Sequence, residues 1–287
     1  MHTVDVIYIL SSGHSGSTLL DLLLGSHSEI EGVGEIRSLA SYFDPDSTRP
    51  LDKQDCTCGR LVRECPYWAQ VRGAVAKRIG TKSVALNPAD PNAFTRENHA
   101  LFEAILEVSG KRIICDSSKH YRRLAPMLHS PQYRIHAIHL LRDGRAVANS
   151  LKKRNRRFLH SVWIWQYNLL RALLLARLQR RVDFQVTRVR YEDLALQPEA
   201  VLRRILKKHA LDFEPDQLAF SDGEHHNLSG NRMRMEKGQT IQFDTKYLDN
   251  LSRFEWIAGT LLCAPALLYF GYPLRRGAIA DQSRGVP

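Results

Sequence analysis

Residues 11–18 read SSGHSGST, between the apolar run VDVIYIL (4–10) and the leucine-rich LLDLLLGSH (19–27). Small residues and hydroxyls between a buried strand and a helix let backbone N–H groups converge on one point, with the positive helix end behind them. The stretch therefore predicts an anion cradle, the plainer reading being a Gly/Ser turn that caps a core helix. It is not the nucleotide-hydrolysing G-x-x-x-x-G-K-[ST] loop: with Thr18 as the last position, Ser17 replaces the lysine and Ser11 the first glycine. Without that lysine the loop is poorly suited to clamp a triphosphate, yet Gly13, His14, Ser15, Gly16, Ser17 and Thr18 can still hold one phosphate-like group.

Three more runs predict buried parallel strands, KRIICD (111–116), RIHAIHLLRD (134–143) and DFQVTRVRYEDL (183–194), each leading through a polar turn into a helical pattern. Helices are expected at about 96–109, 145–157, 160–181 and 196–209, a rhythm of α/β crossovers. The segment 37–95 is too long for a simple crossover and is read as an inserted cap beside the ligand cleft. Residues 1–274 are taken as one domain and 275–287 (RRGAIADQSRGVP) as a solvated, mobile tail.

A second anion site is expected in LLRDGRAVANSLKKR (140–154), another strand breaking into a helix. Arg142 at the strand end can fork onto a phosphate while Ser150 donates from the helix; the plainer reading is an Asp143-capped helix with solvated basic residues. The formal charge of +11 fits an anionic ligand without choosing among phosphates, glycans, nucleic acid or an acidic membrane. The amino terminus lacks a basic region and a cleavage site, so the expected compartment is the cytoplasm. The charge-free stretch 256–274, WIAGTLLCAPALLYFGYPL, approaches membrane-spanning length, but Pro265, Gly271 and Pro273 argue for a buried terminal helix, with membrane association not favoured. Three of the five cysteines, Cys56, Cys58 and Cys65, crowd into CTCGRLVREC; the spacing offers either zinc or reduced buried thiols, and with no fourth Cys or His nearby in sequence no metal is expected.

SGHSGSTLL together with LLRDGRAVANS resembles the 5′-phosphosulfate loop and 3′-phosphate motif of sulfotransferases that use 3′-phosphoadenosine 5′-phosphosulfate (PAPS). CxCG…ECPYW, DSSK, VRYEDL and GNRMRMEKG extend the likeness to bacterial members along nearly the whole chain. The resemblance implies a P-loop-like three-layer sandwich, with helices on both faces of a parallel sheet. It also implies PAPS as co-substrate, released as 3′,5′-adenosine bisphosphate (PAP), and a hydroxyl-bearing acceptor, with no nucleic acid and no catalytic metal. In the tyrosine-sulfating branch a Gly-Glu pair supplies the general base, which places that role on Glu35 in GSHSEIEGVGEIRS (25–38). Branches with a histidine base leave His120 in reserve. Lys119 of DSSK would neutralise charge on the leaving phosphate. Arg232, Arg234, Lys237 and Gly238 resemble the late basic loop over the nucleotide; by composition alone they are a solvated loop. His14 stands where the family usually carries Arg or Lys, and either a protonated imidazole or a neutral hydrogen-bond donor fits that position. Without the resemblance, a nucleotide kinase and a non-enzymatic polyanion binder remain open.

Overall fold

A computed structural model of the protein describes residues 3–44, 46–50, 54–82, 84, 86, 89–152 and 157–279. Five strands, β1 (Val4–Ser11), β2 (Ile30–Gly34), β3 (Ile113–Asp116), β4 (Tyr133–Leu141) and β5 (Gln185–Arg190), form a parallel sheet in the order β2-β3-β1-β4-β5. The fold is α/β and P-loop-like. β1 is central because both of its faces are apolar: Val6, Tyr8 and Leu10 join the core on one side, Ile7 and Ile9 that on the other. The order reverses around β1, so a crevice opens beyond the carboxyl ends of β1 and β4.

Three strands fall where the apolar runs predicted them, and two expectations change. The run 183–194 is strand only over Gln185–Arg190, and Tyr191 begins the helix Tyr191–Leu196. β2 carries the sequence IEGVG, whose two glycines and glutamate read as a turn. Its Gly32 lies against the helix Ser17–Gly25, where a Cβ would meet the Gly25 Cα at 3.2 Å and the Asp21 carbonyl oxygen at 3.1 Å. Close helix–strand packing excludes a side chain there. Gly34 ends β2 at φ +67°, and a Cβ on it would sit 2.3 Å from the Leu228 carbonyl oxygen. That approach is a β-bridge to Leu228, and the Glu35 N–H donates to the same carbonyl at 2.7 Å.

Within the segment 37–95, Val62, Trp68, Val71 and Val75 join the Val6 side of the core. The segment's residues 45, 51–53, 83, 85, 87 and 88 lie outside the described residues, as do 153–156 of the predicted helix at 145–157. The fold also brings His226 to the three clustered cysteines.

The carboxy-terminal stretch forms the helix Arg253–Tyr269, which is half-buried. Trp256, Cys263 and Leu267 face inward, whereas Phe254, Ile257 and Leu261 are exposed; no helix among the described residues is long and apolar enough to cross a membrane. Residues 275–279 of the expected tail are anchored, with Ile279 buried and Arg276 donating to the Leu251 carbonyl at 3.0 Å; 280–287 lie outside the described residues. A buried ion pair supports this end. Arg145 Nη2 lies 2.7 Å from Asp143 Oδ2 and donates to the Pro273 carbonyl at 2.6 Å, so these two RDGR residues hold the fold. Glu192 accepts from the Asp143 N–H at 3.0 Å and from the Tyr272 hydroxyl at 3.1 Å.

Burial, reinforced by the Asp143 charge and partly offset by the Asp143 N–H, pushes the Glu192 carboxyl from 4.5 up to about 7. The folded state then holds this proton more tightly than the unfolded chain. The stability it contributes is full below about pH 4.5 and is lost as pH rises through about 7. Glu192→Gln removes this dependence, so urea unfolding at about pH 5 and about pH 7.5 should show the parent losing roughly 2 kcal/mol relative to the variant. Parallel losses in both proteins would count against this assignment. Gly34→Ala combines backbone strain with a backbone clash and is expected to cost about 3 kcal/mol or more, read by the same unfolding measurement.

Candidate active site

The carboxyl ends of β1, β3 and β4 open into one cleft of about 1190 Å³. The loop after β1 makes its floor. His14 at φ 63° and Gly16 at φ 89° turn the backbone back on itself, and a Cβ on Gly16 would lie 2.5 Å from the Tyr191 ring. The helix Ser17–Gly25 that follows has no side-chain cap, leaving its first N–H groups directed at the cleft. Gly13, His14, Gly16, Ser17 and Thr18 line it, while Ser15 lies beneath the loop, its buried hydroxyl without a partner among the described residues. Thr18 Oγ1 accepts the Asn231 N–H at 3.0 Å, which brings the segment 230–242 over one side.

Arg142, at the end of β4, is buried and reaches the same floor. Its Nη1 donates to the His14 carbonyl at 3.1 Å, its Nη2 to Asp244 Oδ2 at 2.9 Å, and its guanidinium lies 4.5 Å from the Tyr191 ring centre. Burial works against the charge, but Tyr191 and Asp244 outweigh it and keep Arg142 cationic. Its buried Nε has no partner among the described residues. Ser150, on the helix Gly144–Lys152, lines the wall of the same cleft.

Glu35 enters because Gly34 ends β2 with the chain pinned to Leu228. Its Oε1 pairs with Lys119 Nζ, and its Oε2 accepts from Arg37 Nη2 at 3.0 Å. Burial alone would raise the Glu35 carboxyl, but the Lys119 ammonium and then the Arg37 guanidinium hold it below the usual range. Lys119 follows β3 in a left-handed conformation at φ 71°. His120 lines the cleft beside it, its pKa lowered by burial and by the Arg37 charge, so the imidazole is neutral at pH 7.

Among the predicted residues, the structure brings Gly13, His14, Gly16, Ser17, Thr18, Glu35, Lys119, Arg142, Ser150 and Gly238 together on this cleft. Arg232, Arg234 and Lys237 stand outside its described lining. Arg232 is exposed, Lys237 Nζ donates to the Gly223 carbonyl at 2.8 Å, and Arg234 turns toward residues 55–57, donating to the Asp55 carbonyl at 2.8 Å. The cleft also holds Arg37, Arg171, Asp244 and Lys246, which sequence reasoning missed. Proximity to the Gly-Glu pair was a usable signal for Arg37; Asp244 gave none. Of the segment 37–95, Arg37 alone among the described residues lines the cleft. At the end of the helix Phe158–Trp165, Trp165 is buried against the cleft wall, whereas Trp163 and the following Tyr167 are exposed. A second hollow, of about 1090 Å³ between the helices Pro91–Ser109 and Tyr121–Leu128, contains none of the predicted residues.

Comparison with known proteins was consistent with this geometry. Solved structures with the same fold include the sulfotransferase domain of the olefin synthase of Synechococcus PCC 7002, 20% identical with a TM-score of 0.60, matched over 96% of this chain and 97% of that one. The sulfotransferase domain from the curacin biosynthetic pathway is 16% identical with a TM-score of 0.54, matched over 96% of this chain and all of that one (100%). A search of curated protein sequences found no significant match. The model of the Sulfotransferase family matches residues 6–215, and the chain therefore belongs to the sulfotransferase family.

Proposed function

We propose that the protein transfers a sulfuryl group from PAPS to an acceptor hydroxyl. The observation that carries this reading is the convergence, on one cleft, of an uncapped helix terminus with a glycine turn, a buried arginine and a carboxylate–lysine pair. The residues fit such a donor: Arg142 lines the cleft and its Nε is a buried polar atom that lacks a partner among the described residues.

The N–H groups of 13–18 would hold the phosphosulfate, and Arg142 with Ser150 the 3′-phosphate. Asp244 holds Arg142 in place by an ion pair that a phosphate at this position exchanges for its own. The acceptor oxygen attacks sulfur, the bond from sulfur to the bridging oxygen of the donor breaks, and the acceptor proton passes to Glu35. A carboxylate held low by two cations is a weak base. As Lys119 shifts toward the charge growing on the leaving phosphate, its hold on Glu35 relaxes and the carboxylate gains basicity as the proton departs. His14 balances the same charge from the loop. His120, neutral and on the same cleft, is the second reading for the base.

Incubation with labelled PAPS and a cell extract, followed by mass spectrometry, should show an acceptor gaining sulfate. Glu35→Gln is expected to lower turnover by about 10²- to 10⁴-fold while sparing PAP binding. Retained turnover in that variant moves the base to His120. Arg142→Ala should weaken metal-independent PAP binding by about 10- to 100-fold, measured by calorimetry. Magnesium-dependent ATP binding would favour a kinase instead, and a steep salt dependence without a single PAP site would favour a polyanion binder. If His14 acts as the imidazolium, turnover falls as pH rises through its titration and His14→Lys removes that fall; an unchanged profile excludes this role.

A further inference from the structure

Cys56, Cys58 and Cys65 meet His226 outside the cleft's described lining, with their four ligand atoms within 4.8 Å of one another. Cys58 Sγ lies 3.7 Å from Cys65 Sγ, and His226 Nδ1 lies 3.6 Å from Cys56 Sγ and 3.5 Å from Cys65 Sγ. A tetrahedral zinc with Zn–S of about 2.3 Å and Zn–N of about 2.0–2.1 Å has sulfur–sulfur edges of about 3.8 Å and sulfur–nitrogen edges of about 3.6 Å. Three of the six ligand pairs already stand at those edges, and all lie within 4.8 Å. A disulfide needs sulfurs about 2.05 Å apart, and all three cysteines are free thiols.

We propose that these four residues form a structural zinc site that ties the segment 55–66 to the chain at 226. The surroundings are those of a built site. Cys56 and Cys58 sit on a tight turn in which the Cys56 N–H donates to the Arg60 carbonyl at 2.8 Å and the Gly59 N–H to the Cys56 carbonyl at 2.9 Å, with Gly59 at φ +86°. Cys65 is the residue before the helix Pro66–Ile79. His226 is fixed in orientation: its ring stacks on Tyr67 at 4.3 Å between centres, its carbonyl accepts from Trp68 Nε1 at 3.0 Å, and its Nε2 faces the Glu224 carboxylate at 3.5 Å. An outer carboxylate of this kind sets the tautomer that leaves Nδ1 to the metal. Three thiolates select a soft ion over magnesium or calcium, and three thiolates with one divalent ion leave a single negative charge. Arg234 answers it, its Nη1 donating at 3.0 Å to Thr57 Oγ1, between two of the ligands. Four protein ligands close the coordination shell, so the ion stabilises and does not catalyse.

Protein made in zinc-supplemented medium and purified without chelator should hold about one zinc per chain by elemental analysis, and Cys58→Ser and His226→Ala should each hold less than about a tenth of that. Cobalt exchanged into the unaltered chain should give the intense visible absorption of tetrahedral, thiolate-bound cobalt, a readout independent of how the variants fold. Chelator-stripped protein should melt lower by about 5 °C or more and recover when zinc is restored. An unaltered chain with less than about a tenth of an equivalent of zinc and no such cobalt spectrum overturns the site, as does full zinc retention in both variants.

Discussion

A buried parallel sheet delivers every strand's carboxyl end to one edge, and in this protein one contact turns that edge into a site: the Arg142 guanidinium donating to the His14 carbonyl. It joins the end of β4 to the loop after β1 across the point where strand order reverses. Because the acceptor is a backbone oxygen, the arginine is positioned by the turn itself. The turn depends in its shape on Gly16, whose missing Cβ makes room for Tyr191. Tyr191 then backs the guanidinium and donates its hydroxyl to the Gln242 carbonyl, so loop, arginine and the segment around 242 are one packed unit.

The cleft's cations are held in reserve by carboxylates. Lys119 and Arg37 bracket Glu35, and Asp244 engages Arg142. A pocket of unpaired cations would be strained by mutual repulsion and by lost hydration. Pairing relieves this, and both carboxylates are held low, Glu35 by Lys119 and Asp244 by Arg142 against the opposing effect of burial. An entering anion meets donors already in place and exchanges one partner for another. For an anion bound as proposed, such exchange costs less than ordering free side chains.

The parts of the fold legible in the sequence were those governed by local pattern. β1, β3 and β4 are apolar on both faces and announce themselves; the glycine-and-hydroxyl stretch after β1 and the Arg-Asp-Gly turn after β4 are set by their own backbone requirements. β2 was hidden because Gly32 is dictated by the approach of another element, the helix Ser17–Gly25, and not by strand propensity. Arg234 has the same lesson. Its composition reads as an anion-binding loop, yet its donors satisfy the Asp55 and Asn227 carbonyls and the Thr57 hydroxyl, partners that only the folded chain supplies. The charge-free stretch from Trp256 also reads as wholly apolar, while only one face of the helix it forms finds a partner.

The distant ties share a topology that bears on Glu35. The segment 226–231 runs from the cysteine cluster at His226, through the Leu228 bridge that fixes Gly34 and the Glu35 N–H, to Asn231 on the Thr18 hydroxyl. Six residues thus connect the segment 55–66, the end of β2 and the first turn of the loop-following helix. The Leu228 and Asn231 anchors rest on hydrogen bonds that contribute about 1 kcal/mol net each. Together the three anchors restrain one short strand of backbone at both ends and its middle, so a displacement at 226 has little room to be absorbed before it reaches Leu228. The position of Glu35 relative to the loop after β1 is therefore set from behind, by a segment that reaches the cleft lining only at Gly230 and Asn231, and the proposed proton transfer depends on the rigidity of that backing.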